Sequence, residues 1–226
     1  MWKPVFPDIA LPRDRCQDGL VTQVRPYRGV EARERLAQRR RQLLDAGLEL
    51  MGASDDPPEL TVRALCRQAG VSARYFYESF TEKDQLVAAV FDWVIADIAA
   101  TTQAAVAAAP RDEQNRSGIA NLVRTIAGDA RIGRLLFNPK LTNAALARKR
   151  AEVGGVFALL SGQHVTNAYL LPDNGWTKSV AHFVVGGVGQ TISAWVSGDI
   201  ELEQAQLVEQ LTRILDGLAA RELDRS

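Results

Sequence analysis

Apolar residues recur at helical spacing along most of the chain after residue 30, and no segment alternates with the two-residue period of a strand. The first helical stripe runs from Val30 to about Ala53. Further helices are predicted over 112–130, 131–137, 140–163, 175–197 and 200–222, separated by proline- and glycine-containing segments. The last of these is expected to begin at Asp199, a suitable N-cap. The pattern predicts an all-α fold of about nine helices.

Two short helices and a glycine turn are predicted between the first stripe and a longer fourth helix. Thr61 is a suitable N-cap for a helix over about Val62–Gln68, which ends at Gly70, where a left-handed backbone costs glycine little. Ser72 is expected to cap the next helix. Two short helices joined in this way form a helix-turn-helix, whose second helix enters the major groove of DNA.

The fourth helix has both of its ends marked in the sequence. Thr81 with Asp84 has the spacing of a capping box, and Pro110 stops a helix that would run to about Ala109. Phe76 and Phe80, four residues apart, are expected to pack inward. Helix four would be the only continuous element that links the helix-turn-helix to the rest of the chain.

Around the turn Gly70-Val71-Ser72, a set of residues keeps the spacing seen in one family. The chain resembles the N-terminal DNA-binding domain of TetR-type transcriptional repressors over about residues 35–91. It departs from the family at Ser79, where His or Tyr is frequent, at Cys66, where Ala is usual, and at Pro57-Pro58. The resemblance is carried by Thr61, Ala69, Phe76, Tyr77, Phe80, Lys83, Asp84 and Leu86.

The resemblance implies which residues contact DNA. Ala73, Arg74 and Tyr75 would face base edges, and Arg74 is the best candidate because its guanidinium can bond bidentately to guanine. Glu78 would either accept a hydrogen bond from cytosine or pair with Arg74, and the pair is favoured. Contacts with phosphates are implied for Thr61, Ser72, Tyr77 and Lys83.

The resemblance also implies the organisation of the remaining chain. Residues 1–29 would be an extended arm, 30–85 the DNA-binding domain and 86–226 a helical bundle that binds an effector and dimerises. The partners would be a palindromic double-stranded operator, a second copy of the chain and a small apolar effector, with Phe137, Phe157 and Phe183 on the pocket wall. A stripe of mostly small residues and an apolar face on the last helix would form the homodimer interface: His182, Gly186, Gly189, Ser193 and Ser197, with Leu207, Leu211, Ile214, Leu215 and Leu218.

Charge is balanced overall but not locally. The chain has 27 basic and 27 acidic residues, whereas residues 25–44 contain seven arginines and two glutamates. This arginine-rich segment is interpreted either as a solvated helix face or as a surface for phosphate contact and groove insertion.

Other functional classes find little support. Cys16 and Cys66 are too few for a disulfide framework or a zinc site, and neither His164 nor His182 lies at metal or nucleophile spacing. We therefore expect no cofactor, no metal and no enzyme activity. No apolar run of transmembrane length and no secretory signal is apparent, which favours the cytoplasm.

Three functions remain open from the sequence. The first is a repressor released from its operator by a small molecule. The second is a DNA-binding regulator of the same fold without a small-molecule effector. The third is a helical ligand carrier or enzyme whose DNA-binding head is vestigial.

Overall fold

The structure is a computed structural model that describes the backbone of residues 28–169 and 174–223. Side chains are described for residues 33–155, 157–158 and 174–218. The arm predicted for residues 1–29 lies outside this part except for its last two residues, as do Cys16 and the side chain of His164.

The described residues form α-helices and contain no strand, which confirms the all-α prediction. The short segment Arg111–Glu113 is a 3-10 helix. The α-helices, in chain order, are α1 (Arg28–Gly52), α2 (Val62–Ala69), α3 (Ala73–Ser79), α4 (Lys83–Ala108), α5 (Gln114–Gly128), α6 (Ala130–Phe137), α7 (Ala144–Tyr169), α8 (Gly175–Ser197) and α9 (Gln204–Leu223).

Helices α2 and α3 form the predicted helix-turn-helix. The Thr61 hydroxyl oxygen accepts a hydrogen bond from the Ala64 amide at 3.1 Å, so the predicted cap of α2 is confirmed. Gly70 ends α2 with φ 65°, in the left-handed region that favours glycine. Ser72 does occupy the N-cap position of α3, but its side chain makes no capping hydrogen bond, contrary to the prediction.

The start of α4 differs from the predicted capping box. Glu82 is the N-cap residue, and Thr81 donates its amide to Gln85 Oε1 at 2.7 Å rather than pairing with Asp84. Asp84 instead accepts a hydrogen bond from Asn143 Nδ2 at 2.8 Å, just ahead of α7. The capping box was predicted incorrectly because Asn143, which is distant in sequence, donates a hydrogen bond to the Asp84 carboxylate.

The start of α9 was also predicted incorrectly. The helix begins at Gln204, and the Glu203 amide donates to Gln206 Oε1 at 3.0 Å. Asp199 accepts a hydrogen bond from the Ser197 hydroxyl instead of capping the helix.

Two hydrophobic clusters hold the helices together. The larger one joins α1, α2, α3 and α4 to α6 and α7, and it includes the buried rings of Phe76, Phe80 and Phe91. The smaller one joins α5, α8 and α9 around Val123, Ile192 and Leu207. Because the larger cluster is continuous from α1 to α7, the domain boundary at residues 85 and 86 stays a prediction.

Helix α4 is long and apolar enough to cross a membrane by length and composition alone, contrary to the expectation that no such run exists. Eight of its residues are buried within the protein. Packing against α1, α5 and α7 accounts for this apolar composition, since a core helix passes the same test as a membrane span.

Candidate nucleic-acid interface

Helix α3 separates its residues into a buried side and an exposed side. Phe76 is fully buried, and its ring contacts those of Tyr77 and Phe80 at centroid distances of 5.3 and 5.8 Å. Ala73, Arg74 and Tyr77 are exposed, and Tyr75 is half-buried. Tyr77 is 60% exposed. This arrangement leaves the predicted base-reading residues on the outer surface of the helix-turn-helix.

Arg74 and Glu78 form the ion pair expected from their spacing. The Arg74 Nε–Glu78 Oε1 distance is 3.1 Å, and the Arg74 side chain is 85% exposed. A pair this exposed contributes at most about 1 kcal/mol, so little free energy is needed to release Arg74. A second guanidinium, that of Arg39 on α1, lies 4.0 Å from Glu78 Oε2.

Three consecutive arginines of α1 each lie over an aromatic ring. The guanidinium carbons of Arg39, Arg40 and Arg41 are 3.7, 4.3 and 4.9 Å from their ring centroids, within the range of cation–π contacts. Successive residues of a helix project about 100° apart, so the three contacts hold α1 from different sides. The rings belong, in the same order, to Tyr75, Phe80 and Trp93.

The arginine-rich segment therefore has a second role that its sequence did not reveal. Arg39, Arg40 and Arg41 join α1 to α3 and α4 through their ring contacts. The run of arginines was visible in the sequence, but a run of like charges does not specify which rings come close in the fold.

Ser79 has its hydroxyl group buried at the end of α3 rather than presented at the surface of the helix. Its carbonyl oxygen accepts a hydrogen bond from Arg40 at 3.0 Å. Its hydroxyl oxygen is buried and has no hydrogen-bond partner within the described part of the chain. The position at which the family often has His or Tyr therefore supplies no exposed hydroxyl here.

The remaining predicted phosphate contacts lie on accessible surfaces. Thr61 and Ser72 are exposed, at the starts of α2 and α3. Lys83 lies at the start of α4, and its ammonium is 3.3 Å from Glu59 Oε1. Since Glu59 is itself highly exposed, this pair is weak, and the lysine can exchange its partner for a phosphate. Contact with DNA stays a prediction for all seven residues to which it was assigned: Thr61, Ser72, Ala73, Arg74, Tyr75, Tyr77 and Lys83.

A junction between α1 and α6 connects the helix-turn-helix to the bundle. Arg131 lies 2.6 Å from both Glu49 and Asp129, and Arg134 lies 2.8 Å from Asp55. Hydrogen bonding to Asp129, followed by that to Glu49, raises the pKa of Arg131. The same bond holds the pKa of Asp129 below its ordinary value. The two regions are therefore joined by this contact between α1 and α6 as well as by the continuous helix α4.

Close packing at this junction depends on Gly52. A β-carbon at Gly52 would lie 2.5 Å from Arg131 Cβ and 2.7 Å from Arg131 Cα. Arg134 also donates to the Gly52 carbonyl oxygen at 2.9 Å. The last turn of α1 thus touches the backbone of α6 directly.

The three phenylalanines predicted to line an effector pocket lie in different environments. Phe137 packs against the smaller hydrophobic cluster, and Phe157 packs against the larger one. Phe183 on α8 is 69% exposed in the single chain. The structure therefore does not bring these three rings to one cavity wall.

A groove of about 310 Å³ lies between α1, α2 and α6. Its lining is mainly polar and includes Gln42, Asp45, Glu49, Gln68 and Arg131. Its composition differs from that of the apolar pocket that was predicted.

Large apolar side chains are exposed on α8 and α9. Trp176, Phe183 and Val196 on α8 and Ile214 on α9 are exposed, whereas Leu207 and Leu211 point into the smaller cluster. A β-carbon placed at Gly186 or Gly189 would meet no atom within 4 Å. The predicted small-residue stripe therefore lies beside open space.

Among the described residues, no group of three His, Cys, Asp or Glu side chains could hold a metal ion.

Residues 43–90 match the family described as bacterial regulatory proteins, tetR family. No curated protein matches the sequence. The matched segment contains the end of α1, the whole helix-turn-helix and the first turns of α4.

Solved structures of several regulators share the fold. The fatty acid degradation regulator FadR from Bacillus halodurans is 16% identical, with a TM-score of 0.62 over 78% of this chain and 94% of that one. FadR from Bacillus subtilis, in complex with stearoyl-CoA, is 16% identical, with a TM-score of 0.61 over 77% and 96%. A TetR-family regulator from Streptomyces coelicolor is 17% identical, with a TM-score of 0.62 over 82% and 83%.

The family match and the shared fold agree in their assignment. The match covers the helix-turn-helix that the geometry identifies, and the structural similarity extends over the helical bundle behind it. Residues 43–90 therefore match the tetR family, and the chain shares the fold of the solved regulators.

Proposed function

We propose that this regulator is a dimeric repressor that binds a two-fold symmetric operator in the cytoplasm and is released by a small, largely apolar effector. The observation that carries the proposal is the exposed face of α3, where Arg74 lies outermost on a helix anchored by the buried Phe76. Arg74 would read guanine, Ala73 and Tyr75 would contact neighbouring bases, and Thr61, Ser72, Tyr77 and Lys83 would contact phosphates.

Dimerisation would use α8 and α9. One helix-turn-helix contacts only a half-site, so a two-fold dimer is the simplest way to read a palindrome. Phe183 and Ile214 are 69% and 58% exposed, and the surface at Gly186 and Gly189 allows a partner helix to approach closely. Exposed apolar side chains on adjacent helices are typical of protein–protein contacts.

An apolar effector is supported by a structural neighbour. FadR from Bacillus subtilis has been solved with stearoyl-CoA. In this chain, Phe137 and Phe157 belong to the helices behind the head, α6 and α7, and α6 contacts α1 at Gly52. An effector that favours one arrangement of α6 would shift the spacing of the two heads and so weaken binding to successive major grooves.

Selection from randomised duplex DNA tests the proposal. Purified full-length protein is incubated with the pool at two salt concentrations, and the retained DNA is sequenced. We expect a two-fold symmetric motif, and stearoyl-CoA should release the protein from it whereas free coenzyme A should not. Salt-sensitive retention without any motif would contradict sequence-specific repression.

A regulator of the same fold without a small-molecule effector is the second candidate. It is favoured by the placement of Phe137 and Phe157, which pack in separate clusters. A recovered motif from which neither stearoyl-CoA nor shorter acyl-CoA compounds release the protein would support this candidate.

A further inference from the structure

Glu78 places a carboxylate on the face of α3 that is proposed to approach DNA. It lies one helical turn from Arg74 and is 37% exposed. Next to a phosphate backbone, a carboxylate without a positive partner is repelled, and this cost grows as water is excluded. Base reading by Arg74 therefore requires that another group neutralise Glu78.

Two guanidinium groups share this carboxylate. Arg74 is bonded to Oε1 at 3.1 Å, and Arg39 lies 4.0 Å from Oε2. The two differ in how firmly they are held. The Arg74 side chain is 85% exposed, whereas that of Arg39 is 30% exposed and lies 3.7 Å from the centroid of the Tyr75 ring. Arg74 can leave at little cost, while Arg39 is kept in place by its ring contact.

We propose that Arg39 is a positioning residue for base readout: it neutralises Glu78 when Arg74 leaves that carboxylate for a base. Without Arg39, Arg74 must either stay on Glu78 or leave an unpaired carboxylate beside the phosphates. Both outcomes weaken the contact between Arg74 and its base. The inference rests on the proposed function, because it concerns the same DNA-reading helix.

If Arg39 instead only contacts a phosphate, a different result is expected. Its loss would weaken binding to all sequences by a similar factor, and the state of Glu78 would not matter. The two roles of Arg39 therefore predict different changes in base preference. They also predict different combined effects of substitutions at Arg39 and Glu78.

The experiment uses a double-mutant cycle in the full-length protein. Wild type, Arg39→Gln, Glu78→Gln and the double variant are each measured for affinity toward the motif selected by the wild type and toward its single-base variants. We expect Arg39→Gln to weaken binding about tenfold and to flatten the preference at one base pair per half-site. The double variant should bind within about twofold of Glu78→Gln alone.

Two further variants control for lost charge and for lost structure. Arg33→Gln removes an exposed arginine from the same helix, and its effect should add to that of Glu78→Gln without rescue. Arg39→Lys keeps the charge but not the planar contact with the ring, and it should retain the base preference. Melting temperatures identify any variant whose head is destabilised.

Several results would overturn the inference. These are a double variant as weak as the product of the single effects, an equal loss of affinity on every sequence, or a loss of preference in Arg39→Lys as large as in Arg39→Gln. The proposed function fails separately, if the wild type itself selects no symmetric motif.

Discussion

The DNA-binding head and the bundle hold their proposed functional residues in different ways. In the head, the cap at Thr61, the turn at Gly70 and the buried ring of Phe76 lie within a short segment and fix α3 through neighbouring residues. In the bundle, Phe137, Phe157 and Phe183 come from three helices and meet different surroundings. A site formed by residues close in sequence can be predicted from their spacing. A site formed by packing of separate helices cannot.

Removing the anchor of α3 should have the largest effect. Phe76→Ala deletes a fully buried ring from the larger cluster, and we expect a loss of about 3–5 kcal/mol in unfolding free energy. Phe183→Ala is the matched change on the exposed face of α8 and should cost under about 0.5 kcal/mol. Urea unfolding at low protein concentration measures both without a contribution from subunit association. Equal losses would show that the two rings are held alike.

The second-largest effect is expected from a side chain added at Gly52, in the contact between α1 and α6. Gly52→Ala places a methyl group against the backbone of α6, and we expect a loss of about 1–3 kcal/mol as α1 and α6 move apart. Gly154→Ala on α7 meets no atom within 4 Å and should instead be neutral or stabilising by up to about 1 kcal/mol. Thermal unfolding compares the two. A Gly52→Ala protein as stable as Gly154→Ala would argue against a tight contact between head and bundle.

The two N-caps of the helix-turn-helix should respond differently. Thr61→Ala removes a capping hydrogen bond and should cost about 1 kcal/mol. Ser72→Ala removes a side chain that makes no such bond, so its stability should change by less than about 0.5 kcal/mol. Unfolding free energies measure the difference. If Ser72→Ala also weakens DNA binding, that loss reports a phosphate contact rather than a folding defect.

The smallest expected effect concerns charge at the junction. Asp129→Asn keeps an N-cap for α6 but removes the carboxylate bonded to Arg131. Because Arg131 lowers the pKa of Asp129, its stabilisation is complete above the ordinary carboxyl pKa of about 4 and is lost as pH falls through the lower folded value. The wild type should exceed the variant by under about 1 kcal/mol near neutral pH, and the gap should close in acid. A gap that is constant with pH would show that charge plays no part.

The helices themselves were largely predictable, because each depends on nearby residues. Pro110 follows the end of α4, and Gly70 and Gly198 end α2 and α8 with positive φ. The errors occurred where a carboxylate accepted a hydrogen bond from a group other than the predicted helix end. Asp84 bonds to Asn143 rather than to its own helix end, and Asp199 bonds to Ser197 rather than capping α9.

The candidate site was also predictable only in part. The family resemblance implied that Arg74 faces out, and the four-residue spacing of Phe76 and Phe80 predicted that they face in. The exposed Arg74 and the two buried rings agree with both. The ring contacts of Arg39, Arg40 and Arg41 depend on how α1 crosses α3 and α4, which no local spacing encodes. The contact of α6 with Gly52 likewise depends on how two helices pack and could not be predicted from local spacing.

Arg74 on the exposed face of α3 is proposed to read a base. The most direct test measures binding of wild type and Arg74→Ala to the selected motif and to every single-base variant of it. We expect a loss of about 1–3 kcal/mol on the motif and a relaxed preference at one base pair in each half-site. A uniform loss over all sequences, or no loss, would contradict it.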